Sequence, residues 1–216
     1  MSVQHSEEEQ IENLKAWWKE NGPSVLFGLF IGVAVLFGWN YWKDQKARQA
    51  AEASALYTQM LVKMDSNQPA DQYTSTIETL RSKYDDTAYA ALAALLAAKL
   101  AVDQNNIDGA VKDLEWVIGN ADQPEIKITA KLRLARLFLS QGNFGQTEAL
   151  LNENYPEAYT AVAEELRGDL QVAKGSPETA RQAYERALSA SDIAPYTRQL
   201  IQNKLDQLTP PEPTDA

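Results

Sequence analysis

Residues 163–188 read AEELRGDLQVAKGSPETARQAYERAL. On either side of the break at 174–177, apolar and small residues return every three or four positions. That is the spacing of two amphipathic helices joined by a tight turn. Gly168 offers a smooth patch midway along the first helix. Gly175 suits a left-handed turn, and Ala180 followed by Tyr184 places a small and then a large side chain on the face that turns back. The same layout appears twice upstream, as AALLAAKLAVDQNNIDGAVKDLEWVI at 93–118 and AKLRLARLFLSQGNFGQTEALLNENY at 130–155. Ala98, Ala135 and Gly168 align, then Asn105, Gly142 and Gly175, then Ala110, Thr147 and Ala180, then Leu114, Leu151 and Tyr184, in steps of 37 and 33 residues. The upstream copies are less regular, with Thr147 and Asn154 standing where the pattern wants small residues.

These columns resemble the tetratricopeptide repeat, whose period is about 34 residues. The resemblance implies helix pairs stacked into an α-solenoid, each burying its core against the next, with the first helices lining a concave face. Counted from the columns, that face carries Leu92, Leu95, Lys99 and Val102, then Leu132, Arg136 and Leu139, then Val162, Glu165, Asp169 and Val172. It is apolar with a few charges. Such a surface suits extended or partly folded chains, because apolar contacts transfer from one client to another. The other reading is that helices drawn from 43–84 fold back and cover it.

Outward from the repeats the helical pattern continues. No run of alternating β-branched residues occurs up to Leu208, and breaks at 67–69, 103–106, 120–124, 141–143, 155–156, 174–177 and 194–195 separate helix-length segments. The closing PPEPTDA is polar and proline-rich, so 209–216 is expected to be a disordered tail.

At the other end, residues 22–42 read GPSVLFGLFIGVAVLFGWNYW, without a charge. The eighteen residues 25–42 make a helix of roughly 27 Å, close to the hydrocarbon thickness of a bilayer. Trp17 and Trp18 precede it and Trp39, Tyr41 and Trp42 close it, as two water–lipid interfaces favour. Asn21 and Gly22 mark a break before Pro23, a first-turn proline. A cleaved signal would need a short basic leader, whereas this tail is long and carries Glu7, Glu8, Glu9, Glu12 and Glu20. Ile11, Leu14 and Trp18 stand at helical spacing, either as an interfacial turn or as a helix start. Gly28 with Gly32, and Ala34 with Gly38, repeat a small-xxx-small spacing that would admit a neighbouring helix, although glycine is common in membrane helices generally. Lys15 and Lys19 flank one side of the span, against Lys43, Lys46 and Arg48 on the other, so by one residue the charge count puts the C-terminal side in the cytoplasm.

The expected fold is therefore all-α. A tail at 1–22 and a single N-terminal transmembrane helix at 23–42 precede a tetratricopeptide-like α-solenoid of antiparallel helix pairs at 43–208. Thirty acidic residues against twenty basic ones give a charge of -10, with no basic cluster, which argues against nucleic acid. There is no cysteine, and the one histidine is His5, so thiolate or His-rich metal sites and Cys or His catalysis find no residues. No catalytic residue, metal or cofactor is expected. Glu164, Glu165 and Asp169 are carboxylates that would pair for acid–base work only if brought together, and on a charged helix face they are expected to be solvated.

The segment LKAWWKENGPSVLFGLFIGVAVLFGWNYW at 14–42, with its closing Gly38-Trp39-Asn40-Tyr41-Trp42, resembles the YfgM family, the ancillary subunits of the bacterial SecYEG translocon. The resemblance runs on through LRLAR at 132–136 and LRGDLQVAKG at 166–175. It implies a single-pass protein of the bacterial inner membrane with a short cytoplasmic N-terminus and a periplasmic repeat domain, the reverse of the charge count. It also implies partners: the SecYEG translocon, a PpiD-like periplasmic chaperone and unfolded, newly exported chains. The alternative is a periplasmic tetratricopeptide scaffold for envelope assembly or cell division.

Overall fold

A computed structural model describes residues 3–66, 71–191 and 193–208. The described residues form helices and turns without a strand: α1 (Val3–Asp65), α2 (Asp71–Lys83), α3 (Ala88–Asp103), α4 (Ile107–Asn120), α5 (Pro124–Ser140), α6 (Phe144–Leu151), α7 (Glu157–Ala173), α8 (Pro177–Leu188) and α9 (Pro195–Gln207). The chain divides into two units, Met1–Ala51 and Glu52–Ala216. The expected tail at 209–216 and the break at 67–69 lie outside the described residues.

In the first unit α1 is unbroken, and Pro23 sits inside it rather than at its start. The supposed break residues are accommodated locally. The Asn21 amide Nδ2 donates to the Trp17 carbonyl at 3.1 Å instead of turning the backbone. Gly22 is buried beneath the Trp18 indole, whose Nε1 would be 3.3 Å from an added Cβ. Proline removes one i→i−4 hydrogen bond, but where the surroundings are apolar the neighbouring backbone gains nothing by leaving the helix. Phe27, Phe30 and Phe37 are each 67–73% exposed, so this stretch enters no protein core. It is long and apolar enough to cross a membrane. Indole pairs stand at its ends: Trp17 and Trp18 with centroids 6.4 Å apart, and Trp39 and Trp42 5.4 Å apart. Lys46 lies 5.9 Å over the Trp42 ring.

The second unit is the repeat array, with α3/α4, α5/α6 and α7/α8 as its helix pairs. Its turns share one geometry. Asn105, Gly142 and Gly175 have φ of 57°, 74° and 74°, the left-handed residues among those described. In each turn the next amide bonds back five residues, Asn106 to Ala101 (2.7 Å), Asn143 to Phe138 (2.9 Å) and Ser176 to Gln171 (2.8 Å). A second bond runs from the left-handed residue to the carbonyl three before it, completing a Schellman close.

The small column does what its spacing implies. Ala98, Ala135 and Gly168 are all buried, as are Leu114, Leu151 and Tyr184 on the second helices. A Cβ on Gly168 would lie 2.8 Å from Tyr184 Cζ and closer still to Cε1 and Cδ1. Thr147, an irregular member of its column, is fully buried because its hydroxyl donates to the Asn143 carbonyl at 3.0 Å. Asn154 is exposed for a different reason. α6 stops at Leu151, short of the expected length, since Pro156 bars the preceding residue from helical backbone and Asn152 and Asn154 favour turns.

One boundary has no counterpart in the expected breaks: α2 ends before Tyr84, and Thr87 caps α3 by accepting from the Ala90 amide at 3.4 Å. The last turns of α1 and α2 pack Ala53, Met60, Ile77 and Leu80 against Ala93 and its partly buried neighbours Leu96, Ala97 and Leu100. These are not the α3 residues counted onto the concave face, so that covering arrangement is not the one found.

Two substitutions test these turns and contacts. Gly168→Ala overpacks the α7/α8 contact and should cost about 1–3 kcal/mol. Asn105→Val forces a β-branched residue into left-handed backbone and should cost about 1–2 kcal/mol, whereas Asn105→Gly should cost nothing. Urea unfolding of the full chain in detergent, followed by circular dichroism, reads all three.

Candidate functional site

Between α3, α4 and α5 runs an open groove of about 410 Å³. α3 contributes Leu95, Ala98, Lys99 and Val102, α4 contributes Leu114, and α5 contributes Arg133, Arg136, Leu137 and Ser140. The repeat geometry produces it. Ala98 keeps the α3 surface low, so the Leu114 side chain forms part of the floor, while residues one turn apart on α3 and α5 form the walls. Val102 remains 44% exposed in it.

The groove gathers Leu95, Lys99, Val102 and Arg136 from the residues counted onto the concave face, and not the others. Leu92 packs against the core around α3 and α4. Leu132, Leu139 and Val162 belong to the core between α5, α6 and α7. Val172 is 44% exposed and lies outside the groove. Ala98, Leu114, Arg133, Leu137 and Ser140 were not counted onto the face. For Arg133 the local signal was present, because LRLAR sets it three residues before Arg136 on the same side of α5.

Asp169 and Glu165 belong to an ionic cluster. Lys204 of α9 places its ammonium 2.6 Å from Glu165 Oε1 and 2.8 and 2.7 Å from the two Asp169 oxygens. The Tyr184 hydroxyl donates to Asp169 at 2.7 Å, and Arg136 approaches Glu165 to 3.6 Å. Glu164 accepts from Arg186 Nε at 2.9 Å and from Arg167, which also donates to the Leu151 carbonyl. The expectation that these carboxylates are solvated is therefore corrected: Glu164 and Glu165 are 8% and 5% exposed. Tertiary packing supplies their cations from α5, α8 and α9. Glu165 and Asp169 share the Lys204 ammonium, and Glu164 has Arg167 and Arg186, so each carboxylate is neutralised by a cation and the cluster fastens helices together.

Titration follows from these contacts. Burial pulls the Lys204 ammonium down, but its hydrogen bonds to Asp169 and Glu165 and their negative charges outweigh it, leaving its pKa above the ordinary lysine value. Burial, then the hydrogen bond to Asp169 and the nearby carboxylate charges, push the Tyr184 phenol well above ordinary tyrosine. Tyr155 is pushed up to about 12 by burial and the Glu153 charge, against Arg167.

The fold and the groove define a helical repeat protein with one N-terminal helix long enough to cross a membrane. The family described as tetratricopeptide repeat-like domain matches residues 15–210. The ancillary SecYEG translocon subunit of Haemophilus influenzae is 30% identical over 208 residues, covering 96% of this chain and 100% of the relative. That of Escherichia coli is 28% identical over 209 residues, covering 97% and 100%, and that of Neisseria gonorrhoeae 26% identical over 208 residues, covering 96% and 100%. No solved structure matches. The chain belongs to the family of ancillary SecYEG translocon subunits, as the resemblance of its 14–42 segment implied.

Alkali should loosen the repeat unit. Groups with raised folded pKa values contribute stability that is complete below their unfolded values, about 10 for Tyr and 10.4 for Lys, and lost as pH climbs through the folded ones. Melting temperature should therefore fall between about pH 10 and 12, and Tyr184→Phe should flatten that fall. At neutral pH Lys204→Met leaves Glu165 and Asp169 short of countercharge and should cost about 2 kcal/mol, less than a fully buried pair would.

Proposed function

We propose that the protein is a membrane-anchored ancillary subunit of the Sec translocon, and that its repeat unit holds a protein partner in the groove between α3 and α5. The observation that carries this reading is an apolar groove left uncovered by α2 and the end of α1, in a chain whose full-length relatives are named as translocon subunits. The proposed orientation puts the N-terminus in the cytoplasm and the repeat unit in the periplasm of a bacterial inner membrane. There the groove would meet a PpiD-like chaperone and chains leaving the pore. A binding surface of this kind needs shape and apolar area rather than reacting groups, and the carboxylates of α7 are already committed to holding helices. In the span, Gly28 and Gly32 have nothing within 4 Å of an added Cβ. We place a translocon helix against Gly28, Gly32, Ala34 and Gly38, where backbones approach closely.

Photocrosslinkers built in at Val102 and Arg136 in native membranes should capture translocon or chaperone subunits, while one at the exposed Glu115 of α4 should not. Equal capture from all three positions would sink the groove. Gly32→Leu should weaken copurification with SecYEG without unfolding the repeat unit. Protease added outside spheroplasts should digest the repeat unit, and full protection would reverse the proposed orientation.

A further inference from the structure

The groove carries a one-sided charge that protein binding alone does not require. Leu95, Leu114 and Leu137 are its larger apolar lining residues, its charged lining residues are Lys99, Arg133 and Arg136, and no acidic residue lines it among those described. This occurs in a chain of net charge -10, whose average surface is negative.

The three cations differ in availability. Lys99 is held by Asp103 at 2.7 Å. Arg136 leans towards Glu165 at 3.6 Å, beyond hydrogen-bonding distance, so that contact is electrostatic only. Arg133 is exposed and makes no ion pair or hydrogen bond with a described residue. An occupant that covers the apolar floor also strips water from this guanidinium. Without a compensating anion that desolvation is a penalty, and with a carboxylate it becomes a charge-assisted pair matched to the guanidinium fork. A lysine in the same place would be repelled.

We propose that the groove selects protein segments that pair an apolar anchor with a neighbouring acidic side chain. The anchor enters between Leu95, Leu114 and Leu137, and the carboxylate meets Arg133, with Arg136 as a second donor. This rests on reading the groove as the protein-binding surface and adds the chemistry of what it accepts. Arg133 is its specificity-determining residue.

The test uses the full chain in phosphatidylcholine nanodiscs and fluorescein-labelled peptides Ser-Gly-Leu-Leu-Xaa-Leu-Leu-Gly-Ser, with Asp, Asn or Lys at Xaa, read by fluorescence anisotropy against empty nanodiscs. The Asp peptide should bind about tenfold more tightly than the Asn peptide, the effect of one charge-assisted hydrogen bond, and the Lys peptide should bind weakest. Arg133→Gln should cut the Asp–Asn difference to less than half, Arg136 supplying what remains, and Arg133→Glu should bring the Asp peptide below the Asn peptide; a difference left unchanged in Arg133→Gln would overturn the role of Arg133. Arg133 is exposed, so both variants should keep the parent circular dichroism spectrum. Val102→Asp should weaken the Asp and Asn peptides. Equal affinity for the three peptides, lost in Val102→Asp, would overturn the acidic preference while leaving the groove as the binding surface. Binding that survives Val102→Asp unchanged would remove the groove itself and the preference with it.

Discussion

Two helices can approach closely only where one of them lacks a bulky side chain, and the repeat unit is organised around that steric fact. Ala98, Ala135 and Gly168 provide the low points, and Leu114, Leu151 and Tyr184 fill them. Where the small residue shrinks from alanine to glycine, its large partner grows from leucine to tyrosine, so the filled volume is kept. The left-handed turns at Asn105, Gly142 and Gly175 return each chain at the angle this contact needs. With the contact set, Leu114 reaches the groove floor, and α3 and α5 stand apart as its walls.

The N-terminal unit carries the surface that a different solvent, hydrocarbon, would favour. Its large apolar side chains are exposed throughout 25–42, with indole pairs at both ends. In hydrocarbon the backbone has no partner but itself, which favours one continuous helix through Pro23 over the break that an aqueous segment would make there. A long helix of this kind and a stack of helix pairs are two answers to one requirement: every backbone donor is satisfied locally, and apolar surface goes wherever water is absent.

Charge in the repeat unit is divided between fastening and display. Glu164, Glu165 and Asp169 tie α7 to α5, α8 and α9, and Tyr184 links the steric contact to the ionic cluster through its bond to Asp169. Arg133, exposed on α5, is left to solvent at the groove. The carboxylates of α7 thus serve cohesion, while cations border the apolar groove.

Local pattern by itself determined the helical class, the positions of the repeat turns and a stretch long and apolar enough to cross a membrane, because each depends on neighbours within a few residues: glycine or asparagine for left-handed backbone, spacing of small residues on one helix face, an uncharged run as long as a bilayer. The truncation of α6 was also written locally, in Pro156, and the cap at Thr87 in its own side chain. Only the tertiary structure decided which counted residues share a groove. Leu139 occupies the column equivalent to Val102, yet it packs, partly buried, against the core of α5, α6 and α7 while Val102 stays exposed. The partners of Glu165 came from residues 136 and 204, and no local pattern joins them. Burial and pairing depend on what stacks across a helix from far along the chain, and spacing within one helix carries no record of that.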